Sequence, residues 1–157
     1  MRRSSLDARD RQILEILQED GRAPHASIAE RVGLSAPAIR ERILKLEHAG
    51  VIQGYRAIIS PEALGLAVTA FVALTPRPGT DVARLVERLK ALSEVEALHS
   101  VAGTYSYLAK VRAESNEALD EFLDRLMMTD GIERTETTMV LRTSLEGATP
   151  LPWRATD

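Results

Sequence analysis

Apolar residues recur at helical spacing through the first fifty positions of the chain. Ile13, Leu14 and Leu17 form one stripe, Ile28, Ala29 and Val32 a second, and Ile39, Ile43 and Leu46 a third at i, i+4, i+7. The spacing predicts three short helices, over 8–19, 25–32 and 36–49. Asp7 is placed to cap the first, and Asp10 adds negative charge near the positive end of its dipole. Gly21 stops that helix, and Pro24 suits the start of the second. Gly33 stands where a tight turn needs a positive φ, Ser35 can cap the third helix, and Gly50 ends it. Two helices joined by such a turn read as a helix-turn-helix. The second of them points Arg40, Glu41, Leu44 and Lys45 away from its apolar side. A helix of this kind can lie in a major groove, which makes double-stranded DNA the first candidate partner.

The rhythm then changes. Residues 51–59 carry β-formers around Gln53-Gly54 and predict a small wing or an outgoing strand. Ser60-Pro61 marks a boundary, with 62–66 as linker. Strands are predicted over 66–75, 95–101, 105–112 and 132–142. Between them lie a helix capped by Thr80 with the stripe Val82, Leu85, Val86, Leu89, and a helix capped by Ser115 or Asn116 with the stripe Leu119, Phe122, Leu123, Leu126. The order β-α-β-β-α-β is that of a ferredoxin-like unit. The expected fold is α+β: a winged helix-turn-helix over 1–60, a ferredoxin-like domain over 61–146, and a loosely ordered tail over 147–157.

In a ferredoxin-like unit both helices cover one face of the sheet, so the other face should be polar in a monomer. The first strand instead alternates Val68, Ala70, Val72, Leu74 with Ala67, Phe71, Ala73. The second offers Val95, Ala97, Val101 against Leu98, Ala102. Two apolar faces call for a cover, either a second copy in a twofold dimer or the chain's own N-terminal domain.

Charge supports the picture without carrying it. Residues 1–60 hold 10 Lys or Arg against 8 Asp or Glu, a net of +2, whereas 61–157 hold 10 against 15, a net of −5. A mildly basic head on an acidic body suits DNA contact through one end. No apolar run approaches the ~18 residues of a membrane span, and no signal core follows the basic N-terminus, so a cytoplasmic protein is expected. Cysteine is absent, which excludes disulfides and thiol chemistry.

The residues Leu6-Asp7, Ile13-Leu14, Gly21-Arg22, Val32-Gly33-Leu34-Ser35, Arg42, Leu46, Gly50-Val51-Ile52 and Gly54-Tyr55, followed by the β-α-β-β-α-β pattern, resemble the leucine-responsive/asparagine-activator (Lrp/AsnC, feast/famine) transcription regulators. The resemblance spans Leu6 to about Leu145. It implies a winged helix-turn-helix on a ligand-sensing domain called RAM. It also implies homodimers, often four in an octameric ring, and amino acids bound at contacts between dimers. Two positions depart from the pattern. The family usually places an acidic-aromatic-acidic cluster after the glycine between the second and third strands, where this chain has Gly103-Thr104-Tyr105-Ser106-Tyr107. Ser106 cannot make a charge-assisted bond to an ammonium group, so a poor response to most α-amino acids is expected. Leu44 stands where the family often has a basic residue, so fewer phosphate contacts and a weaker salt dependence are expected.

On this reading Ser35, Ala36, Pro37, Arg40, Glu41, Arg42 and Lys45 form the DNA face. Arg40 is the best base reader, because a guanidinium grips guanine through two acceptors. Arg42 and Lys45 hold phosphates, although Arg42 could instead brace the domain through a salt bridge. Glu41 can accept from a cytosine amine or pair with a neighbouring cation. Arg2, Arg3, Arg9, Arg11 and Arg22 could add backbone contacts or be plain surface charge. The resemblance favours an effector pocket at the turn Gly103, Thr104, Tyr105, Ser106 with His99 lining it, although a lone strand histidine can also be a hydrogen-bonded structural residue; Tyr105, Ser106, Tyr107, Thr135, Thr137 and Thr138 could form a hydroxyl-rich rim. Strand threonines also simply suit the pleat.

No histidine pair has metal-ligand spacing, and no phosphate loop or nucleophile elbow is present, so neither a metal, a cofactor nor an enzyme is expected. The leading expectation is a sequence-specific transcription regulator tuned by a small metabolite. Two alternatives stay open: a tetrapyrrole enzyme like the siroheme decarboxylases, which resemble this architecture, and a metabolite-binding module without DNA function.

Overall fold

The computed structural model describes residues 6–147 and 149–153. They form two compact units, one up to Ile58 joined by the described residues of the tail from Glu146, the other Ile59–Leu145.

The first unit is a three-helix bundle: α1 Ala8–Glu19, α2 His25–Val32 and α3 Ala36–His48. Asp7 and Asp10 start α1 with a reciprocal capping box, Asp10 N donating to Asp7 Oδ1 at 2.8 Å and Asp7 N to Asp10 Oδ2 at 3.2 Å. Gly33 closes α2 at φ 72°, a left-handed turn that a side chain would strain. Ser35 then caps α3 by accepting from Ala38 N at 3.4 Å. The core joins Ile13 and Ile16 of α1 with Ile28, Ala29, Val32, Ile39, Ile43 and Leu46. Ile16 takes the buried position on α1 expected for Leu14 and Leu17, which pack at its edge. An apolar run of Ile13-Leu14 and Ile16-Leu17 fits two neighbouring stripes, and only the packing against α2 and α3 selects between them.

Residues 51–59 form no strand. Val51 and Ile52 pack on the bundle, but beyond them the expected wing has no ladder partner among the described residues, and Ile58 and Ile59 are exposed. The tail, expected as a loose arm, instead returns to α1. Trp153 Nε1 donates to Glu15 Oε1 at 2.8 Å, the Arg11 guanidinium lies 5.5 Å from the indole centroid, and Gln18 Nε2 donates to the Thr149 carbonyl at 2.6 Å.

The second unit is the expected β-α-β-β-α-β domain: β1 Val68–Pro76, α4 Val82–Lys90, β2 Val95–Ser100, β3 Tyr107–Ala113, α5 Asn116–Met127 and β4 Ile132–Met139. The strand order is β2-β3-β1-β4, with every neighbouring pair antiparallel. Asp81, not Thr80, caps α4, accepting from Arg84 N at 3.1 Å. Thr80 turns its hydroxyl to the Gly131 carbonyl at 3.3 Å. Ser115 caps α5. Ala70, Val72, Leu74, Ala109 and Val111 meet Leu85, Leu89, Leu119, Phe122 and Leu126 in one helix-covered core, while Val82 is exposed.

The opposite face of the sheet is mixed. It carries Phe71, Ala73, Ala97 and Leu108 beside His99, Lys110, Arg112, Arg134 and Glu136. The strict alternation expected for β2 fails because a bulge between Val95 and Ala97 puts both Val95 and Leu98 on the helix side.

Candidate nucleic-acid interface and effector site

The α3 surface is built by its caps and its brace. Ile39, Ile43 and Leu46 fix the rotation of the helix, so Pro37, Arg40, Glu41, Leu44 and Lys45 are exposed on the other side, with Ser35 at the start. Ala36, also expected on the DNA face, is half-buried against the core. Arg42 takes the bracing role that was its alternative. Its Nη1 lies 2.7 Å from both Asp7 Oδ2 and Asp10 Oδ1, tying α3 to the start of α1. The Asp10 backbone N–H, and then Arg42, hold the Asp7 carboxyl below the usual carboxylate range, and the two acids raise the guanidinium of Arg42.

Among the exposed charges of α3, Lys45 and Glu41 pair at 2.7 Å across one turn. That contact pulls the Glu41 carboxyl below its ordinary value. Arg40 makes neither an ion pair nor a hydrogen bond among the described residues and lines an open cavity of about 270 Å³ with Arg22, His25 and Leu44. Arg9 donates to the Val32 carbonyl and so braces the end of α2, while Arg11 is engaged by Trp153. Arg2 and Arg3 lie outside the described residues.

In the second unit the expected effector residues divide. The turn containing Gly103, Thr104, Tyr105 and Ser106 closes β2 onto β3, with Val101 N donating to the Ser106 carbonyl at 3.0 Å and Ser106 N to the Leu74 carbonyl at 3.1 Å. His99 is exposed on the outer face, opposite Leu108. Thr135 and Thr137 pair with Leu74 and Val72 and therefore face the helices, and Thr135 Oγ1 lies 3.2 Å from Met127 Sδ. Alternate strand residues point to opposite faces, so these two threonines do not share a rim with His99 or Thr138.

What gathers at Tyr105 is a pair of residues that single-strand reading missed. Its hydroxyl donates to the Glu136 carboxylate, and the Arg134 guanidinium lies 5.2 Å from its ring centroid. The bond to Glu136 raises the Tyr105 hydroxyl above its ordinary pKa. Farther along the same face, Glu96 accepts from Lys110 Nζ at 3.0 Å and from Arg112 Nε. Burial raises the Glu96 carboxyl, but these two cations outweigh it and the net shift is downward. Arg112 also reaches Thr69 Oγ1 at 3.0 Å. Among the described residues no group of His, Asp and Glu could hold a metal ion, and no helix is long and apolar enough to cross a membrane.

The AsnC-type helix-turn-helix domain matches residues 6–47, and the Lrp/AsnC ligand binding domain matches 69–150. The chain belongs to the Lrp/AsnC family of transcriptional regulators. It is 39% identical over 150 residues to the HTH-type transcriptional regulator FL11 of Pyrococcus abyssi, covering 96% of this chain and 98% of that one. It is 42% identical over 139 residues to the HTH-type transcriptional regulator LrpA of Mycobacterium tuberculosis, covering 88% and 92%. Among solved structures it is similar to a Neisseria meningitidis transcriptional regulator in complex with L-methionine. There the TM-score is 0.90 and the identity 29%, over 94% of this chain and 98% of that one. A feast or famine regulatory protein from M. tuberculosis complexed with L-methionine gives 0.88 and 41%, over 94% and 100%. These Lrp/AsnC relatives are named as transcriptional or regulatory proteins, none as an enzyme.

For an Lrp/AsnC regulator the two matched segments assign DNA contact to the first unit and ligand binding to the second. The two family departures read from the sequence now have surroundings. Leu44 is an exposed leucine lining the same cavity as Arg40, and Tyr105, the neighbour of Ser106, holds an acid, Glu136.

Proposed function

We propose that this chain reads double-stranded DNA through Ser35, Pro37, Arg40, Glu41 and Lys45. The exposed, unpartnered Arg40 guanidinium on a capped and braced helix carries the reading. A guanidinium with all its donors open is ready for two acceptors on a guanine edge. Glu41 and Lys45 neutralise each other at rest, so Lys45 reaches a phosphate only by leaving Glu41. The test is a footprint on the DNA upstream of the chain's own gene. A site of two half-sites about one helical turn apart, or a multiple of it, is expected. Uniform coating without a dimer-scale footprint at low salt overturns the proposal.

Two copies would supply that symmetry. Phe71, at 37% exposure, and half-buried Leu108 stand on the outer face of the sheet beside buried Ala73, an apolar strip flanked by charges. A homodimer that joins these faces would cover it and is the assembly this reading favours, with an octamer as a higher form. Light scattering that returns a monomer at micromolar concentration contradicts it.

The effector proposed for the second unit is an α-amino acid held at the turn 103–106. Glu136 offers a carboxylate to an ammonium group, and Arg134 offers a guanidinium to a carboxylate, both against Tyr105. Two relatives carry L-methionine in their solved structures. These observations favour a response to an α-amino acid over the weak response read from Ser106 alone. L-Methionine should raise the melting temperature of the full chain, and Glu136→Gln should reduce that rise. An equal rise in the variant removes Glu136 from the site.

A further inference from the structure

The loop between β1 and α4, together with α4 itself, carries a cluster of arginines that none of the roles above uses. Arg77, Arg84 and Arg88 line one open cavity of about 360 Å³, together with Asp81 and Asp130. None of the three arginines makes an ion pair among the described residues, although two carboxylates stand beside them. The Asp81 carboxylate is committed to capping α4 at Arg84 N. Asp130 offers its backbone carbonyl to Arg88 Nη2 at 2.6 Å, and the Ile132 carbonyl takes Arg77 Nη2 at 3.5 Å. Arg88 Nε is shut off from solvent with no acceptor. An unmet buried donor is costly, and it leaves the Arg88 guanidinium with hydrogen-bonding capacity that the fold does not use.

The cradle is pinned. Arg77 N donates to the Gly131 carbonyl at 2.8 Å, and Thr80 Oγ1 reaches the same carbonyl at 3.3 Å. Two of the three guanidiniums are therefore anchored by carbonyls and the third, Arg84, stands exposed. Three planar forks around one volume suit a tetrahedral oxyanion, which accepts in several directions at once. Apart from Pro78 the lining has no apolar wall, so an amino acid with an apolar side chain would gain nothing there.

We propose that this cavity binds a phosphoryl group, as a second ligand site separate from the turn at Tyr105. The two share no lining residue, and the inference stands whether or not the effector reading holds. The phosphoryl group can come from a free phosphorylated metabolite or from a DNA backbone, and the two sources separate experimentally.

The experiment titrates inorganic pyrophosphate into the full chain by calorimetry at constant ionic strength. Saturable binding with one site per chain is expected. Arg84→Ala, whose side chain makes no hydrogen bond or ion pair among the described residues, should weaken it at least ~10-fold with an unchanged melting temperature. Arg88→Gln should weaken it similarly. A parallel titration with duplex DNA separates the sources. If Arg84→Ala leaves duplex affinity intact, the ligand is a free metabolite; if it lowers the salt slope by about 1, the ligand is the backbone. The absence of saturable heat up to ~10 mM pyrophosphate overturns the proposal. So does an Arg84→Ala chain that binds as tightly as the parent.

Discussion

Arg42 of α3 holds the Asp7 carboxylate that caps α1, Nη1 to Oδ2 at 2.7 Å, and through the same nitrogen it holds Asp10 at 2.7 Å. One side chain thus ties α3 to the start of the first helix. Arg42→Ala should lower the melting temperature by a few degrees, because the capping pair loses its cation. Asp7→Ala in the Arg42→Ala background should then cost less than it does alone, as coupled groups do. Strictly additive losses in thermal melts would contradict the brace.

Asp7 of that brace and Glu96 of the second unit contribute to the pH dependence. Asp7 and Glu96 both titrate below their ordinary values in the folded chain. A depressed folded pKa stabilises above the unfolded value, near 4, and that stability is lost as the pH falls through the folded one. Urea midpoints should be flat from about pH 7 to pH 5 and fall below about pH 4. A midpoint that rises on acidification through that window would contradict the assignment.

Gly131 precedes β4 at φ 97°, and a Cβ added there would lie 2.6 Å from Thr80 Cγ2. Gly131→Ala should therefore destabilise the second unit by ~1–3 kcal/mol. Thr80→Ser removes that methyl and should restore part of the loss, leaving the backbone strain. Denaturant melts of the two variants and their combination measure it, and equal losses with and without the methyl would show that the clash is absent.

Trp153 joins the tail to α1 through Glu15 and Arg11. Trp153→Ala should destabilise the first unit by ~1 kcal/mol, from one hydrogen bond and one cation–π contact. Amide exchange in α1 should quicken, and unchanged exchange would separate the tail from the bundle.

Much of this architecture was legible in the chain. The cap at Ser35, the turn at Gly33 and the i, i+4, i+7 stripe of α3 are local signals, and each is realised at its own position. The β-α-β-β-α-β order followed from the same local rules. What escaped depends on distant partners. Thr80 and Asp81 are both good capping residues, and only the Gly131 carbonyl draws Thr80 away. The bulge in β2 follows from pairing with β3, so neither Val95 nor Leu98 announces its face. Glu136 becomes a partner of Tyr105 only once β4 lies beside β1, and Thr135 and Thr137 turn inward for the same reason. A tryptophan in a proline-containing tail gives no periodic signal, so its return to α1 could not be read.

The most direct test is the affinity of Arg40→Ala for the footprinted duplex and for a scrambled one at the same salt. A loss of ~1–3 kcal/mol on the specific duplex and little change on the scrambled one is expected if Arg40 reads a base. An Arg40→Ala chain that keeps the parent's preference between the two duplexes would contradict it.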